Sequence, residues 1–301
     1  ICKNISEVIK MFKGAITAIV TPFDEKGQVD FESFKNLIQF QLDNNIDGIV
    51  PCGTTGESPT LEKEEQIKVI KTVVDMCKGK VKVIAGAGSN STKHAVEMTK
   101  EAADLGADAT LQVNPYYNKP TQEGLFRHFS AIAKASDLPV VVYNIKGRTA
   151  VNVETATMER LAKEHSNIVA VKEASGDINQ MKEVIEKIPN FDVLSGDDKM
   201  TYPLMELGGK GVISVSSNII PKEMHELTEH LLTGNFEKAR EMNDKLTPLF
   251  KGLFIETNPI PIKAALAMKG MIKEQYRLPM CEMRPENREK LEKILKDLKI
   301  I

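Results

Sequence analysis

Cysteine is scarce in this chain of 301 residues: Cys2, Cys52, Cys77 and Cys281 stand far apart and form no CxxC pair. That argues against both a zinc ribbon and a disulfide framework, and it fits a reducing, cytoplasmic setting. An excess of one charge sign is lacking too. Forty Lys and Arg face 42 Asp and Glu, a formal net charge of -2, so no global field draws nucleic acid or an anionic membrane surface. No apolar run approaches the roughly 20 residues of a transmembrane helix, and no apolar signal core stands near the N-terminus. Small molecules and other protein chains remain as partners. What is present is ordinary for a globular protein, with 42% apolar and 27% charged residues, enough for one large α/β domain or two smaller ones.

Short β-rich runs alternate with amphipathic helical stretches. Strands are expected at 14–20 (GAITAIV), 47–52, 81–86, 108–113, 139–144, 167–172 (NIVAVK), 191–196 and 211–215. Between them lie patterns such as FESFKNLIQFQLDNN and LEKEEQIKVIKTVVDMC, apolar at three- and four-residue spacing. Eight β-then-α units with strands too apolar to face water suggest a parallel sheet closed into a (β/α)8 TIM barrel, with an open doubly wound sheet as the competitor. From Pro221 onward only helices are expected. One carries Phe236, Ala239, Met242, Leu246, Leu249 and Leu253 on one face, another follows the break at Pro259 and Pro261, and a last runs from about Pro285. The expected organisation is an extension over residues 1–10, a barrel over 11–232 and a C-terminal helical region over 233–301.

In such a barrel, chemistry gathers at the C-terminal ends of the strands. There the sequence places Lys172, the only lysine at a strand end. Side chains alternate along a strand, so if Lys172 points inward Glu173 points away and cannot neutralise it. A desolvated lysine loses its proton more readily and can form a Schiff base with a carbonyl. Tyr143, after three valines, is the neighbour expected chiefly to tune it, and a phenol there can relay protons if linked to a threonine hydroxyl. The turn CGTTGES combines Thr54, Thr55 and several N–H groups before a helix expected from near Thr60, an arrangement suited to a carboxylate. Arg148 is either a solvated arginine or a fork for a second carboxylate. Tyr116 and Tyr117 suit a subunit contact.

Other readings are weaker. GGKG (208–211) precedes the eighth strand, at the wrong end for phosphate binding, and Asp197 and Asp198 would repel phosphate. His225 and His230, five apart, share no helical face and make no zinc pair.

The motifs AIVTPF, CGTTGES, AGAGSN, NPYYNKPTQEGL, YNIKGRT, AVKEASGD, LSGDD, GGKGVISV, FIETNPIPIK and RLPMCEM, in this order from Phe12 to about Ile300, resemble the dihydrodipicolinate synthase family of pyruvate-dependent, lysine-type aldolases. The resemblance implies an eight-stranded barrel, a homotetramer in the cytoplasm, and condensation of pyruvate with L-aspartate 4-semialdehyde without metal or dissociable cofactor. It makes Lys172 the Schiff-base lysine and assigns Thr54, Tyr143 and a neighbouring subunit's Tyr117 to a proton relay. Thr55, with Thr54, would bind the pyruvate carboxylate; the Ile213 carbonyl would face the site, and Arg148 would hold the semialdehyde carboxylate. A feedback pocket would map to Ser58, Lys63, Gln66, Asn90, His94 and Tyr116, where the positive Lys63 implies weak lysine inhibition. Lys146 stands where many relatives have proline, which removes a fixed φ from the loop carrying Arg148. The alternatives are an N-acetylneuraminate lyase or 2-keto-3-deoxy sugar acid aldolase on the same barrel, and a non-catalytic binding barrel. The joint presence of NPYYN and GRT favours the synthase.

Overall fold

The computed structural model describes residues 12–301; the expected extension over residues 1–10 lies outside them. Among the described residues the strands are β1 (Gly14–Ala18), β2 (Gly48–Val50), β3 (Lys82–Gly86), β4 (Ala109–Val113), β5 (Val140–Asn144), β6 (Ile168–Glu173), β7 (Asp192–Ser195) and β8 (Gly211–Ser214). They form one closed, all-parallel barrel in the order β1 to β8. The barrel expected from the strand count is observed, and every strand begins and ends within two residues of its expected limits. Where the ring closes, Gly14 N donates to Lys210 O at 2.9 Å. A Cβ on Gly211 would lie 2.1 Å from Gly14 O, so only glycine fits this approach.

The helices are α1 (Phe31–Asp43), α2 (Lys63–Cys77), α3 (Thr92–Leu105), α4 (Gln122–Ala133), the single turn α5 (Lys146–Thr149), α6 (Thr155–Glu164), α7 (Ile178–Lys187) and α8 (Thr201–Glu206). The last four are α9 (Pro221–Leu232), α10 (Phe236–Gly252), α11 (Ile260–Met268) and α12 (Pro285–Asp297). Two compact units share these elements, one of Ile84–Ile213 with residues 12–14, the other of Ala15–Val83 with Ser214–Ile301.

In the first unit, Val140, Val142 and Val171 of the strands bury with Leu125 and Phe129 of α4, Leu161 of α6 and Met181 and Val184 of α7. Each such side chain contributes about 1.5–3 kcal/mol by leaving water. Helix α7 starts where Asp177 accepts from the backbone N–H of Asn179 and Gln180, which stops the β6 loop from running on as strand. Register pairs Tyr143 with Lys172 and Asn144 with Glu173 on neighbouring strands β5 and β6.

In the second unit, α1 starts at Asp30, whose carboxylate accepts from Glu32 N and Ser33 N. Asn218 holds the end of β1, accepting from Val20 N at 3.0 Å and donating to Ala18 O at 2.8 Å. Three expectations are corrected here. The helix after CGTTGES starts at Lys63 rather than near Thr60, because Ser58–Thr60 form a 3₁₀ turn and Glu62 and Glu65 then make a capping box. Helix α11 starts between Pro259 and Pro261, since proline in a first turn gives up an N–H that has no partner in any case. Phe236, placed on the apolar face of α10, is 38% exposed because it is the first residue of the helix, while Ala239, Leu246 and Leu249 are buried.

Candidate active site

Lys172 sits on β6 with only 6% of its surface exposed, and its Nζ lies 4.2 Å from the centroid of the Tyr143 ring. Burial lowers its pKa to about 7; Asp198 pulls upward and Arg148 pushes down. The amine is therefore set chiefly by dehydration and by these two charges, a correction to the expectation that Tyr143 would dominate. Asp198 is itself buried. Gly196 lies against the lysine stem: a Cβ there would stand 3.1 Å from both Lys172 Cγ and Cε, and 2.6 Å from Ala174 Cβ.

Glu173, the next residue, is engaged elsewhere, as strand alternation requires. Its carboxylate accepts from Asn144 Nδ2 at 3.0 Å, Gln180 Nε2 at 3.2 Å and Ser175 N at 2.8 Å. Burial nonetheless raises its pKa. A second buried amide shapes the Arg148 turn. Asn114 Nδ2 donates to Thr149 Oγ1 at 3.0 Å and Val151 O at 2.7 Å, and Asn114 Oδ1 accepts from Ile145 N at 3.3 Å. The turn also closes through Ala150 N to Lys146 O at 2.8 Å, so its shape comes from these bonds, with Lys146 and Arg148 exposed. Ile213 is buried in β8. Tyr117 is 90% exposed, with φ of 75°; within this chain the structure does not bring it against Tyr143, which is 5% exposed.

In the second unit, the loop after β2 is a stitched turn: Gly56 N donates to Gly53 O at 3.1 Å and Glu57 N to Thr54 O at 3.1 Å. Thr21 Oγ1 donates to Gly56 O at 2.8 Å. A Cβ on Gly56 would lie 3.1 Å from Ile19 O, which explains a glycine where the loop meets β1. Thr54 is half-buried and Thr55 buried. Thr55 Oγ1 accepts from Asn258 Nδ2 at 3.0 Å. Two residues on, Glu57 Oε1 meets Lys263 Nζ at 2.5 Å, with the lysine 0% and the carboxylate 1% exposed. Lys263 Nζ also stands 4.2 Å from the Phe23 ring centroid. Arg277 extends the network, donating to Glu65 at 2.6 Å from both Nη1 and Nη2, to Thr60 O at 2.7 Å and from its backbone N to Glu57 Oε2 at 3.4 Å.

A buried lysine with its pKa near 7 is a nucleophile for carbonyl carbon, and a turn of hydroxyls and N–H groups receives anions. Residues 11–298 match the sequence model of the Dihydrodipicolinate synthetase family. The chain belongs to that family. It is 52% identical, over 97% of its length and 100% of the relative's, to the 4-hydroxy-tetrahydrodipicolinate synthase of Hydrogenobaculum sp.. It is 54% identical over the same shares to the enzyme of that name from Methanocaldococcus jannaschii. The crystal structure of the chloride-inhibited dihydrodipicolinate synthase of Acinetobacter baumannii, complexed with pyruvate, superposes with a TM-score of 0.94. That match is 45% identical and covers 96% of this chain and 99% of the other.

For a member of the dihydrodipicolinate synthetase family, several candidate residues have structural duties. Gln66 Nε2 donates to Ser58 O and Leu61 O, both at 3.1 Å, fixing the 3₁₀ turn ahead of Lys63. Asn90 Nδ2 donates to Tyr116 O at 3.2 Å, and His94 is half-buried in the first turn of α3. His225 Nδ1 lies 3.0 Å from Asp47 Oδ2, and among the described residues no group of three His, Cys, Asp or Glu side chains is placed to hold a metal ion. In the GGKG stretch, a Cβ on Gly209 would lie 2.7 Å from Leu204 Cγ, so that glycine serves packing. Also among the described residues, no helix is long and apolar enough to cross a membrane. Sequence reasoning missed Lys263 and Asn258 and gave Glu57 no role. A signal for Lys263 was present: it is the single charge in IPIKAALAM, and a lysine in a helix apolar on all sides needs a buried partner.

Proposed function

We propose that this chain catalyses the 4-hydroxy-tetrahydrodipicolinate synthase reaction, a lysine-type aldol condensation of pyruvate with L-aspartate 4-semialdehyde in diaminopimelate and lysine biosynthesis. The observation that carries this reading is Lys172, buried, facing Tyr143 and poised with its pKa at about 7. The free amine attacks C2 of pyruvate, water leaves, and the resulting iminium draws electrons from the neighbouring methyl group so that a proton departs. The enamine carbon then bonds to the aldehyde carbon of the semialdehyde. Finally the semialdehyde's amino group adds to the iminium carbon, Lys172 leaves as an amine, and the ring is closed.

Thr54 and Thr55 bind the pyruvate carboxylate, supported by their adjacent hydroxyls on a turn whose Gly56 and Glu57 N–H groups are spent on its own carbonyls, while the Ile213 carbonyl faces the substrate. Tyr143 with Thr54 and Tyr117 relays protons, and Arg148, exposed on its turn, holds the semialdehyde carboxylate. The electron sink is the iminium itself, so these residues need no metal or dissociable cofactor. The exposure of Tyr117 supports a homotetramer in which a neighbouring copy receives that side chain. The cytoplasm is the proposed setting. The six residues from Ser58 to Tyr116 named above form the proposed lysine pocket, with inhibition weakened by the charge of Lys63.

Borohydride reduction in the presence of pyruvate, followed by peptide mass mapping, tests the central step. A reduced pyruvate adduct on Lys172 is expected; its absence, with the protein folded, overturns the mechanism. Turnover of aspartate semialdehyde in preference to sugar acids is expected in a coupled assay.

A further inference from the structure

A hydroxyl can give one proton and accept at two lone pairs, so which it does at a binding site depends on its fixed neighbour. At Thr55 that neighbour is an amide N–H₂, a group that can only donate. Asn258 Nδ2 reaches Thr55 Oγ1 at 3.0 Å, with both residues buried. Among the described residues no acceptor takes the Thr55 hydroxyl proton, which leaves that proton for a bound ligand. An acceptor-only group such as a carboxylate then completes the hydrogen bonding, and a donor in its place meets a second donor.

The link is held at both ends by a second buried bond. Glu57, two residues beyond Thr55, pairs with Lys263, five residues beyond Asn258, at 2.5 Å. Two parallel cross-links, joining residues 203 and 206 apart in sequence, tie the turn after β2 to the start of α11. Thr21 anchors the same turn at Gly56 O.

We propose that Asn258 is a positioning residue that makes the Thr55 hydroxyl an obligate donor, so that the site takes a carboxylate and discriminates against a neutral carboxamide of the same shape. The inference rests on the proposed role of Thr55 in holding the pyruvate carboxylate. It adds the source of that selectivity, which lies outside the turn that contacts the substrate.

Asn258→Asp puts acceptors where the donor stood, and the Thr55 proton turns toward them. The measurement is the rate of borohydride trapping on Lys172 as a function of pyruvate or pyruvamide concentration, in the full chain. The expected result is a half-saturating pyruvate concentration raised about tenfold or more, with a smaller change for pyruvamide and trapping at saturation little altered. In a Thr55→Val background the same substitution is expected to have no further effect. Should Asn258→Asp fail to fold, Asn258→Ala decides by the same readout, with a rise of about threefold. An unchanged ratio of pyruvate to pyruvamide saturation overturns the proposal. So does a rise that persists in the Thr55→Val background, which would mean simple charge repulsion. Failure of the underlying reading shows separately, as absence of any pyruvate adduct in the unmodified protein.

Discussion

Two lysines of this chain are buried to a similar degree, Lys172 at 6% and Lys263 at 0% exposure, and they differ in what meets the amine. Lys263 meets the Glu57 carboxylate at 2.5 Å and lies near the ring faces of Phe23 and Tyr276. Burial lowers its pKa, and the charge and hydrogen bond of Glu57 pull the other way. Lys172 faces an aromatic ring at close range, and its adjacent glutamate is bonded to amides on the opposite face of the strand. Burial there carries the amine down to about 7. The difference teaches that burial alone does not make a reactive lysine. Reactivity comes from burial that outweighs the pull of Asp198, with the adjacent Glu173 engaged elsewhere.

The comparison is broken most severely at the first lysine. Lys172→Ala is expected to reduce turnover on the order of 10³-fold or more, with no pyruvate adduct on reduction, measured by coupled assay and mass mapping. At the second lysine the effect is on stability. Lys263→Met strands the Glu57 carboxylate in the interior and is expected to cost about 3–5 kcal/mol in denaturant unfolding, while adding Glu57→Gln recovers a large part of it. If the single and double variants are equally unstable, the pair is not the cause.

Lys172→Met is expected to change stability with the reverse sign, raising it on the order of 1–3 kcal/mol near neutral pH. The folded-state pKa of Lys172 is about 7 against 10.5 for a free lysine. Between those values the unfolded chain binds the extra proton, so the wild-type protein gains stability from this group as pH rises, and pays its full burial cost below about pH 7. The advantage of Lys172→Met should therefore be greatest in acid and fade toward pH 10.5. The same titration governs the chemistry. Trapping of pyruvate at subsaturating concentration should level off above about pH 7 and fall about tenfold per pH unit below it, because only the free amine attacks. As the solvent-exposed contrast, Lys71 pairs with Asp75 at 2.9 Å with both side chains about 60% exposed. Lys71→Ala should alter the unfolding free energy by less than about 0.5 kcal/mol.

Much of the fold was legible because its signals are local. Eight apolar runs spaced by amphipathic helices specify β-then-α units, and a period of two against 3.6 separates them. Alternation along NIVAVK likewise placed Lys172 and Glu173 on opposite faces. The helix start at Lys63 was misread because the 3₁₀ turn at Ser58–Thr60 and the capping box at Glu62 form a two-step approach that periodicity cannot resolve. The position of Phe236 failed for a similar reason, since a helical face says nothing about whether its first turn reaches the core.

Local signals specify the strand count, the strand-end location of Lys172 and the hydroxyl-rich turn at Thr54 and Thr55, all readable within a few residues of each feature. Tertiary structure alone decided which groups meet: Asp198 and Arg148 as the charges acting on Lys172, Glu57 with Lys263, and Asn258 with Thr55. The physical reason is range. Backbone period and capping act over a turn or a strand, whereas desolvation and hydrogen bonding act between whatever the fold brings within about 3–4 Å, here side chains 203 and 206 positions of chain apart.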